Sequence, residues 1–305
     1  MRRPLLWLVA LAVDVVAGEP PSTLHPVVAA GRLITALEGG RQPDPTRRSR
    51  DFWHGVLLVA LPAGLAAILG WLVQRIRPTW LRLACTAWLL KSSFALRALL
   101  KAGARAEQLV ARGELTAARS ELRSLVSRPV EDLDEGHIES AIVESLAENL
   151  CDSYVAPLCW FALGGLPAAL AYRVINTADA MVGYHGPYEY LGRAAARLDD
   201  LVNIVPARIT AAALVAAAPL AGQDARRALR VGWRDHGRTE SPNAGWPMAT
   251  AAGALGLWVE KPGTYRLGDG GRSPAVGDGA RARRLVLAAA ALTTAAFVGI
   301  ELSRG

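Results

Sequence analysis

Residues 55–73, GVLLVALPAGLAAILGWLV, run for nineteen positions without a charge. As a helix rising 1.5 Å per residue, the run covers about 28 Å, close to the thickness of a bilayer's hydrocarbon core. Trp53 and Trp71 stand near its ends, where indole rings anchor at a membrane interface. A second apolar stretch, 80–100, follows a short basic turn and completes a helical hairpin. Arg82, Lys91 and Arg97 interrupt it, so those charges must snorkel or face protein. The expectation is an all-α, polytopic integral membrane protein, with amphipathic or re-entrant helices and membrane-proximal polar loops.

Composition agrees and sets limits. Hydrophobic residues make up 52% and mean hydropathy is +0.22, yet 20% of residues are charged, too many for a bare bundle of spans. The net charge of +7 does not signal nucleic acid, because the arginines are scattered along connections instead of gathered with aromatics on one face. Basic loops beside membrane spans account for it. Cys85, Cys151 and Cys159 have no metal-ligand spacing and suggest no disulfide framework.

The remaining segments follow in order. Residues 1–17 resemble a leader peptide, but Asp14 interrupts the apolar stretch and more spans follow, so a retained first segment is expected. Pro26 suits the first turn of a helix, with His25 and Glu19 as a cap and a turn or as functional polar groups. Residues 41–50 read as a basic loop, and 101–126 as two amphipathic helices divided at Gly113. A helix is expected over 135–154. The apolar run 155–174 contains Pro157, Gly164, Gly165 and Pro167, and reads as a kinked span or a re-entrant element. Residues 209–222 are apolar but short, 224–237 form a basic amphipathic helix, 240–247 a rigid loop, and 248–258 a small-residue helix. Residues 261–279 read as a Gly-rich loop before a last apolar segment, 285–300. One membrane-embedded domain, 1–305, is expected, with divisions near 100, 153 and 222.

No phosphate loop, dinucleotide fingerprint, nucleophile elbow or HExxH is present. Chemistry must come from polar clusters beside apolar segments, where ionisable groups are costly. The first is Glu144, Glu148 and Asp152, at i, i+4 spacing, with Asn149. No Lys or Arg lies between Arg128 and Arg173 to balance these acids, and oxygen-only ligands of this kind suit Mg²⁺. The second is Asn176, Thr177 and Asp179, with Tyr184 and His185. The third is Asp199, Asp200, Asn203 and Arg208, whose guanidinium can clamp a carboxylate or phosphate. The fourth is His236, Ser241 and Asn243. Each also has a plain structural reading as a solvated helix face or a capped turn.

Several stretches carry a resemblance. They are D-x3-GEPP-x3-HPV-x3-G (14–31), SRPVEDL (127–133), ESLAENLCDSYVAPL (144–158), INTADAMVGY (175–184), Y-x2-LGRAAARLDDLVNIVPARIT (188–210) and SPNAGWPMATAAGALG (241–256). Together they resemble the CobD/CbiB cobalamin-biosynthesis family, the adenosylcobinamide-phosphate synthases. The chain departs from the family pattern at LWVEKPGTY (257–265) and carries Glu19 where aspartate is common.

The resemblance implies amide formation between a propionate of adenosylcobyric acid and (R)-1-amino-2-propanol or its O-phosphate. ATP would drive it with Mg²⁺. It also implies a multi-pass protein of the plasma membrane with its site facing the cytoplasm, and contact with other membrane enzymes of the pathway. On that basis Glu144, Glu148 and Asp152 are candidate Mg²⁺ ligands, with Asp199 or Asp200 as alternatives among the catalytic residues. Arg128 and Arg208 are candidate anion holders, and His185 or His236 the candidate base. Asn149, Asn176, Asp179, Tyr184, Asn203, Ser241 and Asn243 are candidate substrate contacts. Residues 128–153 and 176–208 are expected to meet in one cavity. The competing class is a transporter or receptor for an anionic ligand, which would use similar broken helices and intramembrane charges.

Overall fold

A computed structural model describes residues 3–39, 48–126, 128–184, 186 and 188–303. The described residues are predominantly helical, and among them five helical stretches are long and apolar enough to cross a membrane: Arg48–Gln74, Thr79–Ala111, Glu135–Val182, Arg193–Ala217 and Asp278–Ser303. It has the all-α, polytopic architecture expected. Its contacts divide it into two compact units, each built from segments distant in sequence.

The first unit comprises residues 1–95, 156–203 and 298–305. It contains α1 (Arg3–Ala17), α2 (Pro26–Glu38), α3 (Arg48–Gln74), α4 (Thr79–Ser92), α8 (Ala156–Val182) and the start of α9 (Arg193–Ala217). The loop expected over 41–50 lies outside the described residues up to 47, and from Arg48 the chain is helical. In α3, Leu58 and Val59 are buried against Ile34, Ala178, Val182 and Ala195. Leu57, Leu61, Leu65, Ile68 and Leu72 are exposed on its other sides. A helix apolar all round belongs in a non-aqueous surrounding.

Two glycines set how closely α3 approaches its neighbours. A Cβ on Gly55 would lie 1.9 Å from the Leu191 carbonyl oxygen, and one on Gly70 would lie 2.8 Å from the Pro167 backbone. Gly70→Ala is therefore expected to lower stability by about 1–3 kcal/mol. A thermal-unfolding shift in detergent checks this, and an unchanged midpoint counts against the tight packing.

In α8 the break falls at Gly165, whose φ of 68° and ψ of −160° are open only to glycine, with Pro167 just after. The 155–174 run is thus a broken helix. A π-helical turn, Cys151–Val155, leads into it.

The expected second span over 80–100 is interrupted: α4 ends at Ser92 and α5 begins at Leu96. Lys91 does not snorkel. Fully buried, its Nζ lies 3.0 Å from Asp14 Oδ1 and 2.6 Å from Glu19 Oε1, and it donates to the Phe94 carbonyl at 3.3 Å. Asp14 is thereby accounted for as its counterion, and α1 as a packed helix. His25 Nδ1 accepts from the Val27 amide at 3.2 Å, capping α2, while Nε2 faces Glu19 at 2.9 Å. Burial pushes the Glu19 carboxyl up, but hydrogen bonds from His25 and Lys91 outweigh it and hold the group below its ordinary value.

The second unit comprises residues 96–155 and 204–297. The two amphipathic helices are α5 (Leu96–Ala111) and α6 (Leu115–Leu122), divided at Gly113 as expected, with φ 74° there. Asp134 caps α7 (Glu135–Leu150) by accepting from the His137 amide at 2.8 Å. Next come α10 (Ala225–Asp235), α11 (Gly245–Leu255), which is buried except at the half-buried Trp246, and α12 (Asp278–Ser303).

The Gly-rich loop expected over 261–279 begins instead as part of a hairpin. Strands β1 (Val259–Lys261) and β2 (Tyr265–Leu267) pair antiparallel, Val259 with Leu267 and Lys261 with Tyr265. Gly263 turns the chain at φ 73°. Strands this short show little periodicity, which is why the sequence pattern did not reveal them.

Candidate functional site

The second unit holds a cavity of about 230 Å³, walled by Arg128, Glu144, Glu148, Ser241, Lys261 and Tyr265 among others. Helix α7 supplies the acids. Ser140, Glu144 and Glu148 follow one another at i, i+4 on one face. The Glu144 carboxylate is densely held. It accepts from Arg128 Nη2 at 3.0 Å and Nη1 at 3.4 Å, from Ser140 Oγ at 2.9 Å and from Tyr265 Oη at 2.7 Å. Arg128 also donates to the Glu260 carbonyl at 3.2 Å, and the Glu260 amide donates to Ser140 Oγ at 2.8 Å. These bonds tie the hairpin to α7, so one ion pair fixes two walls of the cavity.

The counterion that the acidic face needed is therefore Arg128, sixteen residues upstream. Its side chain is only 9% exposed, and its buried Nε has no hydrogen-bond partner among the described residues. Glu144 and the Glu260 carbonyl engage its Nη groups, so Nε is left as an unmet donor on the cavity wall's main cation. Burial first, then the Glu144 charge, pushes the Tyr265 phenol far above its ordinary range, so it stays protonated as a donor.

Beside this wall lies a second group. Arg208 Nη1 donates to Asn243 Oδ1 at 2.8 Å, and its guanidinium sits 5.2 Å from the Trp246 ring centroid. His236 stacks on the same ring, with centroids 3.9 Å apart and planes at 11°. The turn at 241–244 links the two groups: Ser241 Oγ accepts from the Asn243 amide at 3.2 Å and the Ala244 amide at 3.5 Å, while Ser241 lines the cavity. Burial and then the Arg208 charge hold the His236 imidazole below its ordinary value, so it is neutral at pH 7.

The acid row is divided. Glu144 and Glu148 line the cavity; Asp152, in the π-helical turn, is not among its lining residues. Asn149 makes local bonds, donating to the Ser145 carbonyl at 3.0 Å and to its hydroxyl at 3.1 Å. Among the described residues no three His, Cys, Asp or Glu side chains converge as a metal site. The physical reason at Glu144 is that Arg128, Ser140 and Tyr265 already occupy its oxygens.

In the first unit, Asp199 is the hub of an amide network. Its two oxygens accept from Asn176 Nδ2 at 3.2 Å and Asn203 Nδ2 at 2.9 Å. Arg173 donates to Asn176 at 3.2 Å, and Tyr172 to Asn203 at 3.0 Å. The structure thus joins Asn176, Asp199 and Asn203. Asp200 follows, half-buried. The Asp179 carbonyl accepts from the Gly183 amide at 2.7 Å at the end of α8, and Tyr184 is exposed and donates to the Ala180 carbonyl at 2.8 Å. Both behave as parts of a helix end. His185 lies outside the described residues.

Sequence reasoning missed Lys261, Tyr265, Ser140 and Trp246. Trp246 directly follows the SPNAG stretch and could have been found there. Lys261 and Tyr265 sit in the departure 257–265, where no motif pointed to a wall of the site.

Comparison with known proteins bears on this arrangement. The family model described as CobD/Cbib protein matches residues 7–294. A cobalamin biosynthesis protein CobD of Dehalococcoides mccartyi is 43% identical over 270 residues, 87% of this chain and 86% of that protein. A Klebsiella pneumoniae protein of the same name is 38% identical over 310 residues, 97% of each chain. The CbiB protein of Salmonella choleraesuis is 36% identical over 308 residues, 96% of each. No solved structure matches. A match that runs from α1 into α12 takes in both the cavity and the amide network, and the chain belongs to the CobD/CbiB family of cobalamin-biosynthesis proteins.

Proposed function

We propose that this protein joins the amine of an aminopropanol, free or O-phosphorylated, to a propionate carboxyl of adenosylcobyric acid, at the expense of ATP and at the cytoplasmic face of the plasma membrane. The observation that carries this reading is the cavity wall on which two cations, Arg128 and Lys261, stand beside the carboxylate of Glu148. Amide formation from a carboxylate needs anion binding, a site for a cationic amine and a proton acceptor together.

A carboxylate is a poor electrophile and must first be activated. Its oxygen attacks the γ-phosphorus of ATP, the bond to the bridging oxygen breaks, and ADP leaves. The neutral amine then attacks the acyl carbon and inorganic phosphate departs. Both steps depend on positioning and charge neutralisation. Arg128 and Lys261 neutralise phosphate and carboxylate charge in this scheme. Glu144 and Tyr265 hold the Arg128 fork in place. Glu148 receives the ammonium before deprotonation, and His236, which does not line the cavity but precedes its lining residues Thr239, Glu240 and Ser241 and is kept neutral by burial and Arg208, takes the proton.

The donor set fits Mg²⁺ in its phosphate-bridging mode, which uses one or two carboxylates. Glu148 and Glu240 put such groups on the wall, and Glu144 is already engaged. Bound there, the ion would neutralise charge on the transferring phosphoryl group.

The test is product formation by the detergent-purified protein with adenosylcobyric acid, each amine and ATP. Stoichiometric amide and ADP support the reading, and binding of corrinoid without ATP turnover overturns it. A pH profile tests the base. Because its pKa is depressed, His236 is expected to set an acid limb below the ordinary histidine value of about 6.5. Activity falls as pH drops through that limb, and His236→Gln removes it while lowering kcat by about 10²-fold. An acid limb that survives the substitution assigns the base elsewhere.

A further inference from the structure

Helix α10, ARRALRVGWRD, carries two of its arginines, Arg226 and Arg230, on an exposed face. Ala228, Val231 and Gly232 are buried against α11, where Gly232 abuts Thr250. Arg227 and Arg234 serve the unit itself, donating to the Gly270 and Asp269 carbonyls at 3.2 Å each. The opposite face presents Arg226, Leu229, Arg230 and Trp233, at i, i+3, i+4 and i+7. Leu229 is 60% exposed and Leu220, in the turn before the helix, 70%; Trp233 is also 70% exposed, with one ring edge meeting Trp246 at a centroid distance of 5.7 Å. Isolated apolar residues at a surface mean little. Here a large aromatic and two leucines alternate with arginines along one stripe.

Two observations identify what covers the stripe. The first is chemistry: arginines flanking Leu and Trp on a helix lying along a surface match an anionic lipid layer, with ring and leucine entering the headgroup boundary and guanidiniums meeting phosphates. The second is chain continuity. Only residues 218–224 separate α10 from α9, a helix long and apolar enough to cross a membrane. A membrane-crossing α9 delivers α10 to the bilayer boundary.

We propose that α10 lies in the membrane interface and binds anionic phospholipid headgroups through Arg226 and Arg230, anchored by Leu229 and Trp233. This does not depend on the reaction assigned above. Each arginine near an anionic surface contributes about fivefold to occupancy, so the pair contributes about thirtyfold.

The full chain carrying Leu229→Cys, labelled with an environment-sensitive fluorophore, provides the test. Cys151 and Cys159 are buried and the half-buried Cys85 is replaced by Ala in all labelled chains, so the introduced thiol is the accessible one. The protein is reconstituted in nanodiscs of phosphatidylcholine with or without phosphatidylglycerol, using acyl chains brominated near the headgroup. Blue-shifted emission quenched by bromine is expected in the phosphatidylglycerol discs, weakening as salt is raised. Arg226→Gln with Arg230→Gln in the labelled chain should weaken quenching toward the phosphatidylcholine level. Water-like, unquenched emission in both lipids overturns the proposal. So does a label that only an added soluble protein shields, which makes the stripe a protein-docking surface. Tryptophan quenching in unlabelled protein, compared between wild type and Trp233→Phe, gives a second readout free of the label; no difference between the two also overturns it.

Discussion

Arg128→Ala is expected to lower ATP-dependent amide formation by at least about 10²-fold, the usual loss when one preorganised charge-stabilising donor is removed from a reaction centre. The effect has two parts. The cavity loses a guanidinium from its wall, and Glu144 loses the cation that offsets its burial. A buried carboxylate left with only Ser140 and Tyr265 as donors is costly, so thermal stability should fall as well. Arg128→Lys separates the two. It keeps the charge but cannot bridge both Glu144 oxygens and the Glu260 carbonyl with one planar fork. It should recover much of the melting temperature and little of kcat/KM. Equal recovery of both would show that Arg128 acts only as a structural cation. In a double-mutant cycle, Arg128→Ala and Glu144→Ala should be strongly non-additive, because either change destroys the same pair.

How far the site could be read from the chain alone turns on distance. Spacing puts Glu144, Glu148 and Asp152 on one helix face; the structure keeps Glu144 and Glu148 together on the cavity wall, while Asp152 falls in the π-helical turn after α7. What spacing could not supply was the partner of Glu144. No Lys or Arg lies along the helix itself, and the balancing charge comes from outside it, in the loop before α7. Local patterns report neighbours at i+3 and i+4 and are silent on contacts made by tertiary packing. The hairpin was missed for a related reason. Three-residue strands gain their order from bonds to Ser140 and Glu144 on α7, which no feature of VEKPGTYRL announces.

The membrane architecture was more legible. The uncharged run in α3 and the break at Gly165–Pro167 come from residue chemistry that acts within a few positions. At Lys91 the structure takes the second of the two expected outcomes, a charge facing protein, and the reason is again a long-range charge. A lysine in an apolar stretch reads as an interruption to be tolerated, and so does the aspartate in α1. Paired, they become one buried ion pair joining α1 to α4, and the two anomalies explain each other.

That pairing sets up the second large effect. Lys91→Met keeps the length and apolar stem of the side chain and removes only the ammonium. Asp14 is then buried without its cation, and Glu19 keeps only His25 among these charged partners. Breaking a buried pair from one side costs about 3–5 kcal/mol, because the remaining charge is not rehydrated. Lys91→Met should therefore unfold the first unit at markedly lower denaturant or temperature. Asp14→Asn combined with Lys91→Met should recover a good part of the loss, since an amide is far less costly to bury than a carboxylate. The measurement is equilibrium unfolding in detergent micelles, followed by far-ultraviolet circular dichroism. If the single variant unfolds like the wild type, the ammonium was not needed to hold α1 against α4. If the double variant is worse by the simple sum of its parts, the two residues do not act as a pair.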